Sequence, residues 1–407
     1  MPEVALSHAI FAAMQVCIPW LAALTTPLGD LAMLSLAQSV VWPIAMVAQL
    51  QLRNIYLVQG ERRLLPLFVQ LRLAGCVLLV ASASIAMGVL RPSPLLFSLA
   101  LALALIKCVE HVADIMHAEL QRAMEIRRAS RSQTYRCAIF IGVYTAALLI
   151  SGQLLASLLI ALAAMGAWVL LVDMQPSRFH RDLLSHRGHL DQMGPTLKAG
   201  LCLSTAVALS SLSVMVGRWA AMRAGDMEAV AAAALAGTMA SVVAVVLGAT
   251  QQYSFTQARA QLAAGGVPAF RGWCSNVTSR LHLAFAVLTL AWIGAVAILY
   301  EFTLPLPGSH ARGIQDMVAV LAGFFLAGGW LSVLCFRDTL LLALLRRNAV
   351  ILVIAMVQVT AAVCGSLLLY PLLGWVAIGV AELLRGLSFF VAVRYAGRRY
   401  GVGGQAT

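Results

Sequence analysis

Residues 95–119 read LLFSLALALALIKCVEHVADIMHAE. This stretch is long enough to cross a bilayer, because a spanning helix needs about 20 mostly apolar residues. Its second half carries ionisable side chains at spacings of three and four, which share one face of a helix. These residues, called here the polar face, are Lys107, Glu110, His111, Asp114 and His117. A charge at the bilayer centre costs roughly 2.5–3.5 kcal/mol, so we expect this face to line a bundle interior or a wet cavity.

The whole chain has the same apolar character as this stretch. Of its 407 residues, 61% are hydrophobic and only 11% are charged, which excludes a soluble domain, a disordered chain and a disulfide-rich secreted domain. In lipid, only helices or closed barrels satisfy the backbone, so these long apolar runs predict an all-α polytopic membrane protein. The net charge of +12 comes from arginines between apolar runs, which argues against nucleic acid as a partner.

Apolar runs outward from residues 95–119 predict about twelve membrane spans. They are 6–26, 31–52, 72–91, 95–119, 137–153, 154–173, 198–222, 229–250, 280–300, 314–336, 348–370 and 374–394. The fifth and sixth spans are continuous in sequence and are divided at Ser151-Gly152-Gln153. Residues 1–173 form an N-terminal six-helix lobe, 174–197 a cytoplasmic inter-lobe loop and 198–407 a C-terminal six-helix lobe. Residues 120–136 and 251–279 are the other long inner loops.

The distribution of cations predicts the orientation. With the N-terminus inside, 22 of the 28 Lys and Arg residues fall on inner loops and helix ends, and three fall outside. This split is what the positive-inside rule demands, so both termini are expected in the cytoplasm.

The residue types on the polar face indicate a role in transport. Lys107 supplies positive charge, and Glu110 and Asp114 are candidate proton or cation sites, because burial favours a protonated carboxyl group. His111 lies close enough on the face to share a proton. The alternative is a self-neutralised structural network, in which Lys107 pairs with Glu110 and His111 with Asp114.

Two further positions in the C-terminal lobe carry intramembrane charge. Arg218 lies late in the seventh span, where it either faces the cavity or snorkels towards the outer interface. Glu382 and Arg385 lie three residues apart in the twelfth span, where they are either site residues or an intrahelical ion pair.

Several chemistries have no motif in this sequence. It has no phosphate-binding GxxxxGK[ST] loop, no HExxH zinc motif and no Gly-x-Ser-x-Gly nucleophile elbow. We therefore expect no enzyme activity, no cofactor and no bound metal, with transport energy coming from an ion gradient or mass action.

The pattern of polar residues resembles the polysaccharide-exporter branch of the multidrug/oligosaccharidyl-lipid/polysaccharide exporter superfamily. In the fourth span and the loop after it the matching residues are Lys107, Glu110, Asp114-Ile115, Gln121-Arg122, Met124 and Ser130. Elsewhere they are Leu52-Arg53-Asn54, Arg72 and Gly217-Arg218-Trp219. The last departs from the family's Pro-Arg-aromatic stretch, because Gly replaces Pro. The layout matches over nearly the whole chain, and the motifs cover about a tenth of it.

The resemblance implies a MATE-like fold, with two six-helix lobes around a central cavity, in a bacterial inner membrane. It implies flipping of a polyprenyl-diphosphate-linked oligosaccharide for surface polysaccharide synthesis, with membrane lipids and polysaccharide assembly proteins as partners. An anionic diphosphate needs cations in a wet cavity, and Lys107, Arg218 and Arg53 are the candidates.

Three other functions remain open. An ion-coupled drug or metabolite antiporter of the same fold would favour an acidic cavity, whereas this one mixes both signs. A membrane polysaccharide polymerase or glycosyltransferase would be expected to have sizeable outer loops or a catalytic acidic motif. A non-transporting assembly scaffold is separated from these only by a transport assay.

Overall fold

The computed structural model describes residues 2–59, 64–90, 93–174, 190–301, 311–345 and 347–402. Regular structure in these ranges is helical. The helices are α1 (Pro2–Thr25), α2 (Leu28–Ala48), α3 (Leu52–Gln59), α4 (Leu65–Leu90), α5 (Pro94–Arg122), α6 (Ile126–Ser151), α7 (Leu154–Trp168), α8 (Leu190–Arg223), α9 (Met227–Glu301), α10 (Ala311–Leu334), α11 (Phe336–Leu344), α12 (Asn348–Leu373) and α13 (Val376–Val402). One turn of π-helix, Val169–Asp173, continues α7.

Twelve segments of the described helices are long and apolar enough to cross a membrane. The chain is therefore a multi-pass membrane protein, and the all-α fold class with about twelve spans is confirmed. The division between the fifth and sixth spans is also confirmed: α6 ends at Ser151 and α7 begins at Leu154. Gly152 between them has φ of +63°, a left-handed conformation that glycine adopts without steric cost.

Several helices extend beyond the apolar runs that predicted them. α4 begins at Leu65 rather than at residue 72, and α6 begins at Ile126 rather than at residue 137. The predicted loop 120–136 is therefore mostly helical. As a result Arg72 and Arg136 lie inside helices and are buried, although the sequence pattern assigned them to the inner membrane surface.

The predicted inner loop 251–279 is likewise helical. α9 runs through it with one kink at Gly265 and Gly266, whose backbone angles are non-helical. The predicted inter-lobe loop 174–197 lies mostly outside the described residues, which resume with α8 at Leu190.

The chain forms two compact units, residues 1–212 and 213–407. In the first, called unit 1, α5 packs against α2, α3, α4 and α7, and α6 packs against α1 and α7. In the second, unit 2, α13 packs against α10 and α12, and α9 packs against α10. The central position of α5 in unit 1 surrounds its polar face with protein. The central cavity implied by the family resemblance stays a prediction.

The cytoplasmic location of both termini also stays a prediction, and reporter fusions test it. We expect a reporter fused after Gln405, beyond the last described residue, to read as cytoplasmic, because the 22-to-3 cation split fixes the orientation. A matched fusion in the turn at Gly225, between α8 and α9, should read as extracytoplasmic. The opposite pattern would overturn the orientation.

Candidate functional site

Asp114 lies between two arginines from different helices in unit 1. Arg53 of α3 donates from Nη1 to Asp114 Oδ1 at 2.8 Å, and Arg72 of α4 donates from Nη2 to Asp114 Oδ2 at 3.1 Å. The Arg72 side chain is fully buried, whereas the Arg53 and Asp114 side chains are each 19% exposed. Arg53 also donates from Nη2 to Gln121 Oε1 at 3.1 Å, so its guanidinium group contacts two residues of α5 and is held in one orientation. We call Arg53, Asp114 and Arg72 the arginine–aspartate triad.

A break in the helix backbone places Arg53 in this triad. Leu50 and Gln51, between α2 and α3, have φ of +50° and +47°, a conformation that costs a non-glycine residue roughly 1–2 kcal/mol. Arg72 stabilises the break, since its Nη1 donates to the Gln49 carbonyl oxygen at 2.8 Å. This bond satisfies a backbone carbonyl group at the C-terminal end of α2 that has no partner within the helix. Packing of α3 against α4 and α5 also holds α3 in place. The buried cluster between these helices contains Leu52, Ile55, Tyr56, Phe68, Ile115 and Met116.

Lys107 and Glu110 form a separate ion pair nearer the middle of α5. Lys107 Nζ lies 2.7 Å from Glu110 Oε2 and 5.7 Å from the centre of the Trp42 ring. Gln15 of α1 donates to the other carboxylate oxygen at 3.5 Å. This pairing is the one predicted for a self-neutralised network, so Lys107 is compensated in this conformation.

His111 is not the partner of Asp114 that the spacing suggested. The two arginines occupy both Asp114 oxygens instead, because α3 and α4 bring guanidinium groups to it from outside the polar face. His111 is buried, and its Nδ1 has no hydrogen-bond partner. The predicted ion-coupling role of Glu110, Asp114 and His111 stays a prediction.

These contacts leave the described spans of unit 1 with an unbalanced positive charge at the triad. The triad has two cations and one anion, whereas Lys107 and Glu110 cancel. At the C-terminal end of α5, Glu119 and Arg122 cancel as well, with contacts of 2.7 and 2.8 Å, and Tyr56 donates to Glu119. The excess cation therefore lies at the triad, and Arg53 is its partly exposed member.

Sequence reasoning missed Arg72 as a member of this site. It treated Arg72 as the residue that opens the third span and therefore as a marker of the inner surface. The available signal was the apolar run Leu64–Val69 before it, which would have placed Arg72 two turns inside a helix.

In unit 2, Arg218 is buried near the C-terminal end of α8. Its Nη2 lies 3.4 Å from the carbonyl oxygen of Ala233 in α9. A side chain at Gly237 would come within 2.6 Å of the same nitrogen, so glycine makes room for the guanidinium. The guanidinium contacts the α9 backbone and is buried within the protein. Its predicted role in substrate binding stays a prediction.

Glu382 and Arg385 form the expected pair within α13. Arg385 Nε lies 2.8 Å from one Glu382 oxygen, and Nη2 contacts the other, so the pair is bidentate and buried. Gly328 of α10 packs against it: an added Cβ would lie 3.1 Å from Glu382 Oε1. This geometry suits a structural pair, and the site role of these two residues stays a prediction.

Removing one member of this pair should destabilise unit 2. We expect Glu382→Gln to lower stability by about 3–5 kcal/mol, because it leaves Arg385 charged and unpaired in a buried place. The double variant Glu382→Leu, Arg385→Met should recover most of that loss. Thermal unfolding of the purified protein in detergent measures both. Equal stability of Glu382→Gln and the unaltered protein would show that the pair is solvated.

Comparison with solved structures shows the fold. The eukaryotic MATE transporter AtDTX14 has a TM-score of 0.67 at 13% identity, covering 98% of this chain and 96% of that one. An inward-facing multidrug resistance MATE family transporter of the MOP superfamily has 0.70 at 12% identity, covering 97% and 96%. A MOP superfamily transporter from Pyrococcus furiosus, described by a reverse polarity of its binding pocket, has 0.55 at 13%, covering 100% and 95%. No family model matches the chain, and no curated protein matches it. The MATE-like fold is confirmed.

Proposed function

We propose that this protein is a transporter that flips a polyprenyl-diphosphate-linked oligosaccharide across a bacterial inner membrane. The observation that carries the proposal is the excess cation of the arginine–aspartate triad inside a MATE-like fold. A buried excess of positive charge is costly unless an anion meets it, and a diphosphate is such an anion. The resemblance of the polar face to the polysaccharide-exporter branch supports the same substrate.

The triad suits reversible capture of an anion. Arg53 is partly exposed, so its guanidinium can turn from Asp114 to a phosphate group. Arg72 is fully buried and keeps Asp114 paired while Arg53 is engaged. Because two arginines bind one carboxylate, Arg53 can exchange Asp114 for a phosphate group while Arg72 stays paired with Asp114. An unpaired buried charge, which would cost several kcal/mol, is thereby avoided. Lys107 is the second residue that contacts the phosphate in this proposal. The phosphate competes with Glu110 for the Lys107 ammonium group.

The expected surroundings follow from this substrate. The lipid tail stays among membrane lipids, and polysaccharide assembly proteins supply the loaded lipid and take up its glycan. Nothing in this mechanism requires a covalent step, a cofactor or a metal from the protein.

An ion-coupled drug or metabolite antiporter is the second candidate, and one observation favours it. The similar structures include a multidrug resistance transporter of the same fold. A cationic drug would depend on Glu110 and would be repelled by the triad. A substrate anion would depend on Arg53 and Lys107.

Translocation assays in proteoliposomes separate the candidates. We expect the protein to move a fluorescent polyprenyl-diphosphate sugar between leaflets, and Arg53→Ala to reduce the rate at least about tenfold, as expected for loss of a charged hydrogen bond. Arg128→Ala is the matched control, because Arg128 is an exposed arginine at the inner end of α6 whose side chain is 55% exposed. Export of cationic drugs with no movement of the lipid would replace this proposal with the antiporter.

The same vesicles test the remaining classes. A polymerase or glycosyltransferase would change the mass of the lipid-linked sugar, which chromatography of the extracted lipid detects. An assembly scaffold would leave both the position and the mass of the lipid unchanged.

A further inference from the structure

A second buried polar cluster lies at the inner end of unit 1, one turn beyond the triad. It joins three segments of chain: His117 from α5, Ser132 and Arg136 from α6, and Asp173 from the π-helical turn. His117 Nε2 lies 3.7 Å from Asp173 Oδ1, and Ser132 donates its hydroxyl to the same oxygen. The His117 and Asp173 side chains are only 3% and 2% exposed, so the cluster is shielded from water.

The π-helical turn creates this arrangement. Residues 168 and 173 would lie about 140° apart around an α-helix at 100° per residue. A π-helix bonds residues five apart, as Met174 N does to the Val169 carbonyl oxygen at 2.9 Å, and so brings such residues to one side. Trp168 Nε1 donates to Ser132 Oγ at 3.2 Å, and Asp173 accepts from that same hydroxyl. Single π-helical turns of this kind are frequent at functional sites.

The cluster has unused capacity to bind a proton. His117 Nε2 and Asp173 Oδ2 are buried and have no hydrogen-bond partner. Arg136 is also buried, and its Nε and Nη1 atoms lack partners. The two unpartnered acceptors belong to the two groups that titrate, which a purely structural cluster would have satisfied.

We propose that His117 and Asp173 form a proton-binding site, in which one proton from water is shared between the imidazole and the carboxylate. The charged groups that act on it are Arg136 of α6, beside both residues, and Arg53 of α3, towards His117. Arg136 balances the Asp173 carboxylate, so the cluster is neutral when empty and carries one positive charge when it holds the proton. Because the two groups interact, the proton belongs to the pair.

This site differs from Asp114 in how its carboxylate is held. Asp114 accepts from two guanidinium groups, which favour its ionised form. Asp173 accepts from the Ser132 hydroxyl and lies 3.7 Å from the His117 imidazole, and neither of these partners is a guanidinium group. Proton exchange is therefore assigned to the His117–Asp173 pair, and anion binding to the triad. Coupling of that proton to transport rests on the proposed function, whereas proton binding does not.

Trp168 reports on the pair directly, since it is bonded to Ser132, which is bonded to Asp173. We expect purified protein in nanodiscs to show a pH-dependent change in fluorescence that Trp168→Phe removes. Asp173→Asn should abolish the change, and His117→Gln should shift its midpoint. Asp173→Glu, which keeps a carboxyl group, should retain a transition and so excludes misfolding as the cause. The matched control is Glu119→Gln, a buried carboxylate near the same end of α5 that Arg122 neutralises.

Persistence of the Trp168 transition in the double variant Asp173→Asn, His117→Gln would overturn the proposal, as would equal loss in Glu119→Gln. Coupling has its own readout. We expect a pH gradient to accelerate lipid translocation by the unaltered protein and not by Asp173→Asn. A Trp168 transition without any lipid translocation would leave the proton site standing and would remove the proposed function.

Discussion

Asp114→Asn is expected to lower the stability of unit 1 by about 3–5 kcal/mol and to abolish lipid translocation. The variant leaves Arg53 and the fully buried Arg72 without a carboxylate, and an uncompensated buried charge costs that much. Arg72 would also lose the geometry in which it bonds the Gln49 carbonyl group, so the break between α2 and α3 would loosen. Thermal unfolding in detergent and the proteoliposome assay measure the two effects.

A double variant separates charge from shape. Asp114→Leu with Arg72→Met should recover most of the stability, because replacing a whole buried pair with apolar side chains is often neutral. It should not recover translocation, because Arg53 then lacks the carboxylate that positions it for the proposed substrate. Glu125→Gln is the matched control: it breaks the exposed pair with Arg128, which is worth at most about 1 kcal/mol. A fully stable Asp114→Asn would show that water reaches both arginines.

Lys107→Ala is expected to lose lipid-linked oligosaccharide translocation. Lys107 lies deep in the fourth span, where Glu110 and the Trp42 ring meet its charge in this conformation. In the proposed function a diphosphate competes with Glu110 for Lys107, so removing the ammonium group would remove a substrate contact. Lys107→Arg should keep part of the rate if charge matters more than shape at this contact.

The structural alternative makes a different prediction for the same pair. If Lys107 serves only to neutralise Glu110, the variant Lys107→Ala, Glu110→Gln should both fold and transport normally. We expect it to fold and not to transport. Undiminished translocation by Lys107→Ala would leave Lys107 as a partner of Glu110 alone.

Hydropathy was sufficient to predict the twelve spans, because each contains an apolar stretch long enough to cross the hydrocarbon layer, even where the span also carries charged residues. It failed where arginines are buried. Arg72 and Arg136 were assigned to the inner surface, since their charge ends an apolar run on any transfer scale. The structure buries Arg72 because Asp114 and the Gln49 carbonyl group meet it there, and partners on distant helices leave no periodic signal in the sequence.

The polar face of α5 was predictable, and its partners were not. Spacing correctly paired Lys107 with Glu110, since both lie on one helix. It paired Asp114 with His111 for the same reason and was wrong, because α3 and α4 supply stronger partners. The sequence did not indicate Asp173 as a partner of His117. A π-helical turn changes which residues face the interior of the unit, and the apolar periodicity of the sequence does not reveal such a turn.

In the proposed function, the single excess cation of the triad would make the transport cycle sensitive to the sign of the membrane potential. An inside-negative membrane holds a positive centre towards the cytoplasm, with about 2.3 kcal/mol per elementary charge for each 100 mV that the charge crosses. In the proposed cycle, the empty carrier would therefore be drawn to an inward-facing state. A head group with more than one negative charge would reverse the sign of the occupied centre, so the same voltage would then pull the loaded centre outward. Both halves of the cycle would run downhill on the membrane potential alone, even before a proton is counted.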